Sequence, residues 1–129
     1  FGGLKKGSAT ASASALLFST IAVTQGLPMH ASIAAAKGAV EGLTRSIAAE
    51  WAPKIRVNCL APALTDTPLA SKFFATEESR TAMASKYPLG RTGEPSDLAS
   101  AAKFLLSPES GWITGQVIHV DGGMSTLRT

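Results

Sequence analysis

Apolar positions along this chain fall into short blocks and longer periodic stripes, and their order predicts a fold class. Ser14 to Thr20 is a compact run, Ser-Ala-Leu-Leu-Phe-Ser-Thr, edged by small polar residues. Such a run predicts a buried strand of a parallel sheet. From about Ala31 to Glu50, the residues Ile33, Ala36, Val40, Leu43 and Ile47 recur at helical spacing and predict a long amphipathic helix. Ala52-Pro53 stops it, and Ile55-Arg56-Val57-Asn58-Cys59-Leu60 follows as an alternating, β-branched strand closed by Pro62.

The stretch from Pro62 to about Thr76 reads as a loop, with Leu69, Phe73 and Phe74 facing outward in the manner of a lid. Glu77 to Tyr87 fits a short helix with acids in its first turn, and Pro88 ends it. Pro95 stands where a first helical residue belongs, and Leu98, Ala102 and Leu105 continue one apolar face as far as Ser107. Gln116 to Val120 is a last strand, stopped by Asp121-Gly122-Gly123. Strand, helix, strand, helices, strand predicts an α/β fold, a parallel sheet with flanking helices, in a single domain over 1–129.

Composition and charge remove several function classes. The chain is 45% hydrophobic and 16% charged, which suits a packed body. Its net charge of +3 is spread over 12 basic and 9 acidic residues, and no basic run exceeds Lys5-Lys6, so no nucleic-acid partner is expected. Ser, Thr, Lys or Pro interrupts every apolar stretch before the roughly twenty residues that cross a bilayer, so no membrane partner is expected either. Cys59 is alone, with His30 and His119 distant in sequence. This excludes an internal disulfide, predicts no metal site, and fits a reducing, cytoplasmic setting. The opening Phe1-Gly2-Gly3-Leu4-Lys5-Lys6 reads as the tail of an earlier element, so a truncated chain is expected.

Candidate chemistry gathers around Lys37. Residues four apart stand one above the other on a helix, so a tyrosine at position 33 would bring its phenol within reach of the Lys37 ammonium. Ile33 can neither donate nor accept a proton. His30 lies a turn before it at the helix entrance and reads as a capping or surface histidine, with a rescued proton-transfer role as the alternative. Tyr87 reads as a packing residue, and His119 as a side chain on the other face of the last strand.

Five segments carry a resemblance. They are Phe18-Ser19-Thr20-Ile21-Ala22; Ala36 to Thr44 (AKGAVEGLT); Ile55-Arg56-Val57-Asn58 with Ala61-Pro62-Ala63; Pro88-Leu89-Gly90-Arg91 with Gly93-Glu94-Pro95; and Ile113-Thr114-Gly115-Gln116 leading to Val120-Asp121-Gly122-Gly123. In this order and spacing they resemble the C-terminal half of the short-chain dehydrogenase/reductase family. The resemblance implies the C-terminal part of a Rossmann-like sheet and hydride transfer between NAD(P)H and a small-molecule carbonyl or alcohol. By position, Lys37 matches the family's lysine, Ile33 its tyrosine, and Thr20 the serine thirteen residues before it. Lys37 and Thr20 are therefore the expected catalytic residues.

Pro62-Ala63-Leu64-Thr65-Asp66-Thr67 occupies the place of the family's nicotinamide loop, so Pro62, Thr65 and Thr67 join Lys37 as expected cofactor-binding residues. Ala63 stands where the family usually has glycine. The family's N-terminal phosphate-binding motif has no counterpart, because Gly2-Gly3 lacks both a preceding strand and the required spacing. NAD or NADP is thus expected in a complete protein and none on this chain alone. Two readings stand: an oxidoreductase of this family with doubtful activity, or a catalytically degenerate or truncated member serving as a structural or interaction subunit. A homo-oligomer is expected, through the 31–50 helix and the C-terminal helix and strand.

Overall fold

The computed structural model describes residues 13–129. Three parallel strands, β1 (Ala13–Phe18), β2 (Ile55–Pro62) and β3 (Val117–Val120), lie in the order β1-β2-β3. Leu17 stands opposite Cys59, and Cys59 opposite Val117, so β2 is the centre. From Val57 to Ala61 its side chains are fully buried. A strand with neighbours on both edges and cover on both faces needs the unbroken burial that its composition offers.

The helices are α1 (Ala31–Trp51), α2 (Glu77–Ala84) and α3 (Pro95–Leu106). Helix α1 packs on β2 and β1, while α3 packs on β1, β2 and β3. Alternation along β2 divides the two sides. Cys59 meets Thr44 of α1, and Arg56 and Asn58 point toward the chain that leaves α3.

Several boundaries differ from expectation. Strand β1 stops at Phe18, not Thr20, because the Thr20 side chain accepts the Ala22 N–H at 3.3 Å and caps a short 3-10 turn, Ile21–Val23. Strand β2 runs on to Pro62, which pairs with Val120. The supposed loop after it contains a 3-10 helix, Pro68–Phe74, since Pro68 is preset for a first helical position. Phe74 is buried there, with the Arg80 guanidinium 5.2 Å over its ring, while Leu69 and Phe73 stay exposed as expected. Helix α2 ends three residues short of Tyr87, and its start is held by a reciprocal Thr76–Ser79 capping box.

Helix α1 departs most from its apolar pattern. Its buried residues are Glu41, Thr44 and Ala48, whereas Ile33 and Leu43 of the apolar stripe are exposed. The inward face is thus mixed: Ala48 is buried and Val40 and Ile47 are half-buried on it, the Thr44 hydroxyl donates to the Val40 carbonyl of its own helix, and Lys37 and Glu41 meet the carbonyl and hydroxyl where β1 leaves the sheet.

On the opposite face, the guanidinium of buried Arg56 donates to the carbonyls of Ile113 (3.0 Å), Leu105 (3.2 Å) and Ser107 (2.9 Å). Asn58 adds a bond to the Ile113 carbonyl at 3.1 Å and accepts the Gln116 N–H at 3.0 Å. The Arg-Val-Asn segment therefore fastens residues 105–116 beneath the sheet. Arg56→Met would leave these carbonyls without their shared donor, and we expect a loss of roughly 2–4 kcal/mol. Urea unfolding of the two proteins measures it; a difference inside about 0.5 kcal/mol would contradict this account.

Candidate active site

Parallel strands bring the C-terminal ends of β1, β2 and β3 to one edge, where loops and helix starts collect. Lys37 reaches this edge from α1, its Nζ donating to the Phe18 carbonyl at 3.2 Å. Thr20 follows two residues later. Ile33 stands one turn before Lys37 on the same face and is 41% exposed. Lys37 and Thr20 are therefore brought to one strand end, with a hydrocarbon at position 33.

Two residues that sequence reasoning passed over complete this corner. Glu41, one turn beyond Lys37, is 5% exposed, and its Oε2 accepts the hydroxyl of Ser19, itself 4% exposed. Ser19 also donates its N–H to the Leu60 carbonyl at 2.7 Å, binding the turn to β2. Cys59 lies beneath. Burial pushes its thiol above the ordinary value; the Thr44 hydrogen bond lowers it, Glu41 raises it and Lys37 lowers it. The Glu41 signal was present in its spacing, since residues 37, 41, 44 and 48 share one helix face.

The loop after β2 is held from below. Ala63 N–H donates to the Val120 carbonyl at 3.3 Å, Leu64 N–H to the Tyr87 hydroxyl at 3.2 Å, and Gly93 N–H to the Leu64 carbonyl at 3.0 Å. Thr65 forms a parallel bridge with Gly93, and its hydroxyl donates to the Ala63 carbonyl at 3.1 Å. A Cβ on Gly93 would stand 3.2 Å from the Thr65 hydroxyl and 3.3 Å from the Leu64 carbonyl, so any side chain there would press these groups back by a few tenths of an ångström. Ala63 keeps a negative φ, so the loop follows its path without the glycine usual there. Thr67 accepts the Ala70 N–H at 3.0 Å as the 3-10 helix begins.

Among the described residues, no hydrogen bond joins Lys37 or Thr20 to Pro62, Thr65 or Thr67; they share the sheet edge only. Tyr87 is a buried packing residue, as read from sequence, and also the loop's anchor. His30 precedes α1 without a side-chain cap, its Nδ1 2.7 Å from the Pro28 carbonyl. His119 lies 3.3 Å from the Thr24 hydroxyl. A cavity of about 170 Å³ opens behind the loop, between Leu64, Tyr87, Leu89, Arg91 and Asp97. Among the described residues no cluster of His, Cys, Asp or Glu could hold a metal, and no helix is long and apolar enough to cross a membrane.

A parallel three-stranded sheet with flanking helices, whose strand ends collect a lysine, a hydroxyl and a braced loop at one edge, has the arrangement of part of a Rossmann-like sheet. The family described as Enoyl-(Acyl carrier protein) reductase matches residues 4–125. A tropinone reductase homolog of Arabidopsis thaliana is 48% identical over 92 residues, 70% of this chain and 35% of its own length. A short-chain type dehydrogenase/reductase from Mycobacterium ulcerans superposes with a TM-score of 0.81 at 36% identity, over 89% of this chain and 42% of that one. ElxO in a tyrosine-to-phenylalanine variant with NADPH bound gives 0.81 at 30% identity, covering 88% and 47%. This chain belongs to the short-chain dehydrogenase/reductase family and spans less than half the length of these relatives.

The cavity wall makes a pH prediction. Arg91 forks onto Asp97 at 2.8 and 2.9 Å, and this bond, with the Glu94 N–H, lowers the Asp97 carboxyl from 3.8 to about 2. A depressed folded value means the pair's contribution is complete above about 3.8 and lost as pH falls through about 2. The Asp97 carboxyl carbon, followed by NMR, should titrate near 2 and move back toward 3.8 in Arg91→Met. An unmoved midpoint would show that Arg91 is not the cause.

Proposed function

We propose that this chain forms the substrate and nicotinamide side of an NAD(P)-dependent oxidoreductase acting on a small-molecule carbonyl or alcohol. The observation that carries it is the Lys37 ammonium bound to the Phe18 carbonyl beside Thr20. An ammonium has three donors, so the Phe18 bond leaves donors for a ribose hydroxyl. The Thr20 hydroxyl can donate to a substrate carbonyl, and Pro62, Thr65 and Thr67 border the nicotinamide through backbone groups and a hydroxyl. These residues fit half of a dinucleotide; the pyrophosphate would be held by chain outside this sequence. NAD or NADP, when bound, supplies or takes the hydride.

Ile33 limits the chemistry. Without a group to move the proton, turnover should be slower by roughly a hundred- to ten-thousand-fold than with a phenol there. Loss of a tyrosine hydroxyl is compatible with binding in a relative, since the ElxO tyrosine-to-phenylalanine variant holds NADPH. Ile33 also favours the second reading, a degenerate member kept as a structural or interaction subunit. In the full-length protein, NADH or NADPH fluorescence should change on binding, and Ile33→Tyr should increase carbonyl reduction about a hundred-fold. A folded, cofactor-bound Ile33→Tyr protein with no gain would defeat the oxidoreductase reading, and absence of binding would support the subunit reading.

Assembly follows from the exposed apolar faces. Leu43 and Trp51 on α1 and Phe104 and Leu106 on α3 are each between 42% and 49% exposed. Exposed apolar residues on two helices support a homo-oligomer through α1 and through α3 with β3. Light scattering at low concentration should show a multimer; a stable, soluble monomer would refute it.

A further inference from the structure

Lys37 and Glu41 stand one turn apart on the inward face of α1 and hold adjacent residues of one strand end. Lys37 takes the Phe18 carbonyl at 3.2 Å, and Glu41 takes the Ser19 hydroxyl. The next residue is Thr20. A carboxylate is costly to bury without partners, so a Glu at 5% exposure marks a position where hydrogen bonding, not packing alone, decides the residue. Ser19 is held twice, by Glu41 through its hydroxyl and by Leu60 through its N–H, so the turn has little freedom once both bonds form.

We propose that Glu41 is a positioning residue: by accepting the Ser19 hydroxyl it fixes the Phe18–Thr20 turn, keeping the Phe18 carbonyl on Lys37 and setting where the Thr20 hydroxyl stands. This rests on the reading of Lys37 and Thr20 as the residues that meet cofactor and substrate. Without Glu41, the Ser19 hydroxyl keeps only a long 3.5 Å contact to the Thr20 carbonyl, a local bond that does not tie the turn to α1, and the turn relaxes. The Lys37 ammonium then loses its fixed carbonyl and spreads over several positions. A displacement of this kind, on the order of an ångström, weakens binding and chemistry by roughly ten- to a hundred-fold.

The test uses the full-length protein with Glu41→Ala, Glu41→Gln and Ser19→Ala, each first shown to be folded by circular dichroism. Ser19→Ala is the gentler variant and keeps the question open to experiment if Glu41→Ala does not fold. The primary readout is the Lys37 Nζ–Cε resonance, which needs no cofactor. It should shift or broaden in Glu41→Ala and in Ser19→Ala and stay in place in Glu41→Gln, whose amide oxygen still accepts the Ser19 proton. An unmoved Lys37 resonance in Ser19→Ala overturns the proposal, as does a Glu41→Gln spectrum as displaced as that of Glu41→Ala. NADPH and NADH titrations form the second readout, with affinity expected to fall about tenfold in Ser19→Ala and to recover in Glu41→Gln. If the parent protein binds neither nucleotide, the functional reading fails, while the Lys37 resonance still decides the role of Glu41.

Discussion

Strand β2 has a neighbour on each edge and a helix-bearing layer on each face, so every polar atom it carries must be satisfied by the elements around it. This constraint accounts for most of the arrangement. On one face Arg56 and Asn58 gather the carbonyls of residues 105–113 and the N–H of Gln116, holding α3 and the approach to β3 in place. On the other, Cys59 lies under the polar side of α1, where Thr44 and Glu41 stand. Beyond its C-terminal end, β2 feeds directly into the loop braced by Tyr87 and Gly93. The site edge is therefore tied by hydrogen bonds to the strand beneath it.

The strands, long helices and their order were legible because each depends on a repeated signal. Apolar runs, 3.6-residue stripes and proline stops recur over enough positions to be read without a structure. Single-residue effects were not legible in that way. Thr20 ends β1 by capping a turn with its own side chain, and nothing in the run from Ser14 to Thr20 separates a last strand residue from a first cap. Pro68 starts a 3-10 helix inside a segment whose Ala, Thr and Pro content reads as loop.

Helix α1 shows a different limit. Its apolar stripe was read correctly as periodic, but periodicity shows that a helix has two faces, not which one meets the sheet. Here the sheet presents the Phe18 carbonyl and the Ser19 hydroxyl to the helix, and the polar face of α1 answers them with Lys37 and Glu41. The apolar stripe is divided, with Val40 and Ile47 half-buried and Ala36 and Leu43 exposed. Lys37 was identified because its family pattern is a contiguous motif; Glu41 escaped because one acid on a helix normally reads as a solvated side chain.

The placement of Lys37 and Glu41 also separates what Ile33 removes from what it leaves. Both side chains act on β1 through a carbonyl and a hydroxyl that belong to the strand end, and neither bond involves position 33. A phenol there would have added a titratable group whose ionisation the ammonium favours. An isoleucine adds only hydrocarbon, so it carries no such group and leaves both bonds in place. The bonds that hold the Lys37 corner are thus made by residues other than the one at position 33, and they do not depend on a phenol there.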